Sequence, residues 1–145
     1  MHIEPSIYKD DKILVMRKFE FKKLVRDKIV ENVISAGHKP DWRILSDSEF
    51  IQELKKKIVE EASEVPRTND PEEIVEELAD IQEIIDSLLE TLKVSKAEFE
   101  KIQKQKTKKR GSFKKRQYID TVETSDKVTK WVQYYLDNPD KYPEI

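Results

Sequence analysis

The sequence predicts an all-α fold, an antiparallel bundle of four to five helices with a short extended N-terminal arm. The 145 residues include only two glycines, and 40% of them are charged, a composition typical of exposed helices rather than of turn-rich β structure. Apolar residues also recur at spacings of three and four, as on one face of a helix. Because 37% hydrophobic content is enough for one modest core, we expect a single domain over residues 1–145.

The N-terminal region and the first helix are distinguished by a change of spacing. Residues 1–21 contain two short apolar groups, Ile3–Tyr8 and Ile13–Met16, which predict an extended arm or a short strand. Apolar residues then take helical spacing and predict a first helix over about residues 22–36, at the start of a core spanning 22–120. Its end is marked by Gly37, which suits a helix C-terminus, and by Pro40.

Capping residues define the second and third helices. The second begins after an N-cap before Glu49 and runs to about Val65, where Pro66 stops it. Three residues are suited to that N-cap: Ser46, Asp47 or Ser48. The third has Asp70 as its cap and Pro71 at its first position, and it runs to about Leu92.

The last third of the chain predicts two more helices. Ser95 with Glu98 forms a capping box that opens a fourth helix, which ends at Gly111. The stretch Phe113–Val122 looks extended. In residues 121–145, Ser125 or Asp126 caps a final amphipathic helix.

Composition excludes several kinds of site. The chain has no cysteine and only two histidines, His2 and His38, so any metal must be held by oxygen. No apolar stretch approaches the roughly 20 residues that span a bilayer, and a signal peptide is not evident, so we expect a cytoplasmic protein without membrane contact. With 28 basic against 30 acidic residues, the net charge of −2 gives no general attraction to nucleic acid.

Acidic residues interrupt the apolar stripes of the second and third helices. With about 100° of rotation per residue, Glu61 falls inside the stripe of the second helix and Glu64 on its flank. Glu77 and Asp80 occupy the equivalent positions on the third helix. Six other glutamates of these helices are assigned to a solvated face: Glu60, Glu72, Glu73, Glu76, Glu83 and Glu90.

A carboxylate that faces a core costs several kcal/mol unless it is neutralised. Residues three apart on a helix are neighbours, so each helix presents a pair of carboxylates, and two pairs meeting across a helix pair would form an oxygen-rich cage. Magnesium prefers such oxygens and is often shared with substrate phosphates. Two simpler interpretations stay open: a solvated acidic face, or internal ion pairs with neighbouring lysines, Lys55, Lys56 or Lys57.

Three segments resemble one protein superfamily. Glu60-Glu61-Ala62-Ser63-Glu64, followed after twelve residues by Glu77-Leu78-Ala79-Asp80, is similar to the EExxE and ExxD signature of the all-α NTP pyrophosphatase superfamily. Residues 23–29, Lys-Leu-Val-Arg-Asp-Lys-Ile, resemble the opening helix of its MazG-like, phosphoribosyl-ATP pyrophosphohydrolase-like branch. Residues 109–113 resemble that branch's basic Arg-Gly-x-Phe element. The likeness covers about residues 22–120.

The resemblance implies an enzyme. It makes Glu61, Glu64, Glu77 and Asp80 the catalytic ligands of magnesium, with manganese as a substitute. The reaction would be hydrolysis of a nucleoside triphosphate to the monophosphate and pyrophosphate, as in removal of noncanonical nucleotides. The alternative is a non-catalytic helical module that binds nucleotide or metal for regulation. Because interrupted stripes leave apolar area that needs partners, we also expect a homo-oligomer.

Basic residues supply the candidates for substrate binding. Lys109 and Arg110, in a cationic run around Gly111, are expected to reach triphosphate oxygens, for which arginine is suited through bidentate contacts. Arg26 and Lys28 are further candidates. A solvated helix end, with lysines complementing the helix dipole, is the simpler interpretation of the run. Nucleic-acid binding is not favoured, because aromatic residues are sparse among these cations.

Overall fold

The structure, a computed structural model, describes residues 16–145, and the all-α prediction is confirmed there. No β-strand occurs among these residues. The two apolar groups of the arm lie outside the described residues, apart from Met16. Five α-helices and one 3-10 helix follow in order: α1 Ile29–Ser35, α2 Asp47–Glu64, the 3-10 helix Val65–Arg67, α3 Pro71–Thr91, α4 Lys96–Arg110 and α5 Lys130–Leu136.

Capping residues predicted from the sequence mark the starts of α2 and α3. The Ser46 hydroxyl accepts a hydrogen bond from the Glu49 backbone N–H at 3.4 Å, and the Glu49 carboxylate accepts one from the Ser46 N–H at 3.1 Å. This reciprocal pair satisfies two backbone donors that a helix N-terminus otherwise leaves free. At the start of α3, the Asp70 carboxylate accepts from the Glu72 N–H at 3.0 Å, and Pro71 follows it.

Helices α2 and α3 pack against each other and provide the core of the described chain. Only residues 65–70 connect them, so two helices of this length in contact must run antiparallel. Leu54 of α2 and Ile84 of α3 are 4% and 7% exposed, and they are the only buried apolar residues described. The helical hairpin therefore depends on a very small core.

Helix α1 is shorter than predicted. It begins at Ile29 rather than near residue 22, and residues 22–28 lie outside it. Lys22 has a left-handed backbone with φ +41°, which a helix cannot contain, and the Lys28 side chain makes no capping hydrogen bond. The predicted end is confirmed, since Gly37 has φ +83° and donates its N–H to Ile34 at 2.9 Å.

Helices α4 and α5 differ in how well their starts were predicted. Ser95 and Glu98 form the expected capping box, with the Ser95 hydroxyl accepting from the Glu98 N–H at 3.2 Å, and α4 ends at Gly111 with φ +82°. Helix α5 starts later than predicted. Its N-cap is Thr129, whose hydroxyl accepts from the Val132 N–H at 3.3 Å, so the expected caps at Ser125 or Asp126 are wrong. A hydroxyl placed directly before the Lys130–Leu136 run serves as the cap.

The chain divides into two compact units, Met1–Phe99 and Glu100–Ile145. The first contains α1 to α3 and the second contains α5. Within the second, Phe113–Val122 forms no strand, and the Arg116 N–H donates to the Phe113 carbonyl across a turn at 3.0 Å. Among the helices of residues 16–145, none combines the length and the apolar character needed to cross a membrane.

Candidate metal centre

Three carboxylates converge where α2 packs against α3. Glu61, Glu77 and Asp80 each offer an oxygen, and these three oxygens lie within 4.8 Å of one another. Glu61 belongs to α2, and the other two are three residues apart on α3. The two helices therefore supply one shared acidic cluster, which we call the carboxylate triad.

The triad residues are more buried than several of their acidic neighbours, although Glu53 and Glu64 are half-buried as well. All three members are half-buried, whereas Glu60, Glu76 and Glu83 are exposed. The contrast is clearest between chain neighbours, because the Glu61 side chain is 19% exposed and that of Glu60 is 43% exposed. Glu61 thus shows the expected contrast with Glu60, whereas the Asp80 side chain, at 45% exposed, is as accessible as that of Glu60.

Two triad carboxylates have a basic partner. The Lys57 side chain is 18% exposed. Its ammonium nitrogen lies 3.4 Å from a Glu61 oxygen and 3.5 Å from a Glu60 oxygen. The Arg26 guanidinium donates a hydrogen bond to Asp80 from the segment before α1. Of the three lysines weighed as internal partners, Lys57 thus takes that role, while Lys56 pairs with Glu53 at 2.7 Å.

Glu77 is the triad member for which no ion pair is seen among the described residues. Desolvation raises the pKa of its carboxyl above the usual value, and the negative charges of Asp80, Glu61 and Glu64 raise it further. Its charged form is therefore disfavoured in the protein alone. A cation placed among the triad oxygens would remove this penalty.

Glu64 stands beside the triad rather than in it. Its carboxylate pairs with Arg67 at 3.0 Å, although it is near enough to contribute to the raised pKa of Glu77. Its assignment as a fourth metal ligand stays a prediction. A rotation of its side chain away from Arg67 would be required, and the exposed pair offers little resistance to that.

The four basic residues predicted to bind substrate do not all lie at the triad. Arg26 reaches Asp80, whereas Lys28 is an exposed residue at the N-terminus of α1 with no ion pair in the described structure. Lys109 and Arg110 are exposed in the last turn of α4 and belong to the second compact unit. Their assignment to substrate phosphates stays a prediction from the sequence.

The triad fits a small divalent cation. Oxygens bound to magnesium at about 2.1 Å in octahedral geometry lie about 3 Å apart when adjacent and about 4.2 Å apart when opposite. A separation within 4.8 Å therefore requires only small side-chain adjustments. All donors are carboxylate oxygens, which magnesium and manganese prefer over softer ligands.

The ion pair of Arg26 with Asp80 was missed by the sequence-based prediction, whereas a pair of Lys57 with a triad glutamate was one of its open alternatives. Lys23 adds a further contact, since its ammonium lies 3.6 Å from a Glu60 oxygen. Both Lys23 and Arg26 come from the segment that was predicted to be helical. The i,i+4 spacing of Lys57 and Glu61 signals their pair in the sequence, but no local pattern signals a contact between Arg26 and Asp80.

Comparison of the chain with protein-family models, with curated proteins and with solved structures finds no match.

Proposed function

We propose that this protein is a magnesium-dependent nucleoside triphosphate pyrophosphohydrolase that releases a nucleoside monophosphate and pyrophosphate. The observation that carries the proposal is the convergence of Glu61, Glu77 and Asp80 within 4.8 Å at the contact of α2 and α3. The type of reaction is proposed from the acidic signature in the sequence, which resembles that of the all-α NTP pyrophosphatase superfamily. A cytoplasmic location is part of the proposal.

The triad carboxylates would hold the cation, whose positive charge the reaction needs to neutralise the negative phosphate groups. Bound magnesium supplies neutralisation of phosphate oxygens, orientation of water in line with the α-phosphorus, and stabilisation of the leaving pyrophosphate. The Glu61 side chain is only 19% exposed, and partial removal from water strengthens the attraction of a carboxylate for a cation. Glu61 and Glu77 lie on different helices, so packing of α2 on α3 fixes their separation.

Exposed cations would bind the polyphosphate. Arg26 already lies at the triad, and its planar guanidinium can donate two parallel hydrogen bonds to one phosphate. Lys109 and Arg110 are exposed cations in the last turn of α4, and they form no ion pair with another described residue. We assign triphosphate binding to Arg26 within the first compact unit, with Lys28 as a weaker candidate there, and we keep Lys109 and Arg110 as candidates from the sequence.

A homo-oligomer forms part of the proposal. Apolar residues line a face of α3 that the described chain leaves largely uncovered, with Val75, Leu78 and Leu92 between 51% and 63% exposed. Ile85 and Leu89 continue this face and are half-buried. Residues 75–92 extend over about 25 Å of helix, and an apolar strip of that length is typical of an interaction surface. A second copy of the chain is the occupant we propose.

The test is pyrophosphate release from a panel of NTPs and dNTPs, measured with and without magnesium. We expect turnover that requires the metal and is lost in Glu77→Gln and Asp80→Asn. Loss of an outer-shell partner costs about 10- to 100-fold in metal affinity or activity, so loss of a ligand should cost more. Glu83→Gln, an exposed glutamate on the same helix, is the matched control and should keep the wild-type rate.

Other outcomes would favour other functions. Turnover that survives both ligand substitutions would contradict the proposed site. Binding of magnesium and nucleotide without turnover would favour the regulatory module over the enzyme. Absence of both would leave a helical adaptor that uses its charged and apolar faces for protein contacts.

A further inference from the structure

Arg26 stands out because its contact is not local. It precedes α1, yet its guanidinium donates to Asp80 on α3, across 54 positions of sequence. The other arginines that pair in the described chain have nearby partners: Arg43 with Glu49, and Arg67 with Glu64. A contact of this kind, directed at a triad member, places a positive charge where a metal ion is proposed to bind.

The two basic partners of the triad differ in how firmly they are held. Lys57 and Glu61 are neighbours on α2, and their side chains are 18% and 19% exposed. Arg26 and Asp80 have side chains 58% and 45% exposed. Exposed ion pairs contribute little net stability because water solvates both partners well, so the Arg26 pair is the one that can separate at small cost.

The segment that contains Arg26 also allows its side chain to move without a helix moving. Residues 22–28 lie outside α1, and the backbone of Lys22 is left-handed. The arginine side chain has several rotatable bonds, and its charge persists at all accessible pH values. A change of partner from Asp80 to a phosphate therefore requires only side-chain rotation.

We propose that Arg26 is a resident counter-cation: it neutralises Asp80 while the site lacks a metal, leaves that carboxylate when a divalent cation binds, and then contacts the nucleotide phosphates. The inference rests on the proposed metal site. Arg26 is a positioning residue for the metal-free triad and a ligand of the substrate once it is released. It opposes metal binding alone and favours nucleotide binding afterwards.

The exchange of partners by Arg26 predicts opposite effects of removing its charge on metal binding and on nucleotide binding. Because Arg26 must leave Asp80 when the metal binds, removal of its charge strengthens metal binding in the absence of nucleotide. Because the released arginine contacts phosphate, the same removal weakens nucleotide binding to the metal-loaded protein. Opposite effects on the two ligands distinguish an exchange from a purely structural role, which would weaken both.

The test is titration of Mn²⁺ into the nucleotide-free full chain, followed by electron paramagnetic resonance of the free ion at low salt. An exposed ion pair is worth up to about 1 kcal/mol, which corresponds to about fivefold in affinity. We expect Arg26→Gln to bind Mn²⁺ about two- to fivefold more tightly than wild type, and Arg26→Lys to resemble wild type. Arg43→Gln, which breaks an exposed pair at the other end of α2, should leave the affinity unchanged.

Two further measurements make the result specific. In the Asp80→Asn background, Arg26→Gln should give no gain in Mn²⁺ affinity, because the carboxylate that Arg26 neutralises is absent. With Mn²⁺ bound, a non-hydrolysable α,β-methylene triphosphate should bind Arg26→Gln more weakly than wild type. Equal or weaker Mn²⁺ binding by Arg26→Gln, or equal binding of the analogue, would overturn the inference while the metal site stands. A wild-type protein that binds no Mn²⁺ would overturn the proposed function as well.

Discussion

At the scale of single residues, Glu77 and Glu49 illustrate two opposite environments for a carboxylate. The pKa of Glu77 is raised because desolvation and the charges of four acidic neighbours disfavour its ionised form. The pKa of Glu49 is lowered to about 2, first by its hydrogen bond with Arg43 and then by the capping bonds with Ser46. Glu49 is therefore a structural group that stabilises the start of α2, whereas Glu77 is a destabilised group that a bound cation would relieve.

The lowered pKa of Glu49 predicts a dependence of stability on acidity. A carboxylate whose folded-state pKa lies below its unfolded value stabilises the fold above the unfolded pKa. We expect that contribution to be complete above pH 4.5 and to be lost as pH falls toward about 2. Thermal unfolding of wild type and Glu49→Gln across this range measures it. The difference in melting temperature should shrink with falling pH, and a constant difference would contradict the role of Glu49.

At the scale of elements, the helical hairpin of α2 and α3 determines whether a site can exist. Its carboxylates are brought together only because the apolar faces of the two helices pack on each other. Leu54 and Ile84 are the buried residues that hold this contact. Loss of their packing should therefore affect both the fold and the separation of Glu61 from Glu77.

Truncation of the two core residues should reveal this dependence. Leu54→Ala and Ile84→Ala should each lower the free energy of unfolding by about 2–5 kcal/mol, because a cavity forms and buried apolar area is lost. Val59→Ala, on the same helix as Leu54 but 67% exposed, should change it by no more than about 0.5 kcal/mol. Denaturant unfolding followed by circular dichroism measures all three, and similar values for Leu54→Ala and Val59→Ala would show that the core lies elsewhere.

Local signals in the sequence account for the elements that were predicted well. The starts of α2 and α3 depend on Ser46 and on Asp70 with Pro71 after it, all of which act within a few residues. The start of α1 was missed, because the helix begins at Ile29 and not near residue 22. Lys23 pairs with Glu60 and Arg26 pairs with Asp80. Contacts between residues so far apart in the sequence produce no periodic pattern from which they could be predicted.

The candidate site was predictable to a similar degree. Helical periodicity alone separates Glu61 and Glu77 from Glu60 and Glu83, because one turn of a helix determines which side faces a partner. The ion pair of Arg26 was not predictable, because it joins residues 54 positions apart in the sequence. The Glu64–Arg67 pair was also missed, since it forms at the junction of α2 with the 3-10 helix.

At the scale of the whole molecule, exposed apolar residues outnumber buried ones. Only Leu54 and Ile84 are buried among the described apolar residues, while Val75, Leu78 and Leu92 are more than half exposed on α3. Association with a second copy would cover this face and add to a core that is small for a chain of 145 residues. We therefore expect the stability of the protein to depend on its concentration.

The apolar face of α3 gives a direct test of self-association. Leu78→Glu places a charge on that face and should shift the protein from an oligomer to a monomer. Val59→Glu introduces the same charge at an exposed apolar position of α2 and should leave the oligomer intact. Size-exclusion chromatography with light scattering measures both, and a monomeric wild type or an oligomeric Leu78→Glu would contradict the assignment.

The measurement that tests the proposed function most directly is magnesium-dependent pyrophosphate release by wild type, Glu77→Gln and Glu83→Gln, with the melting temperature of each. We expect release to fall by more than about 100-fold in Glu77→Gln and to be unchanged in Glu83→Gln. The metal-free Glu77→Gln protein should melt no lower than wild type, because a carboxyl with a raised pKa destabilises the fold when it ionises. A folded Glu77→Gln protein that releases pyrophosphate at the wild-type rate would contradict the proposed site.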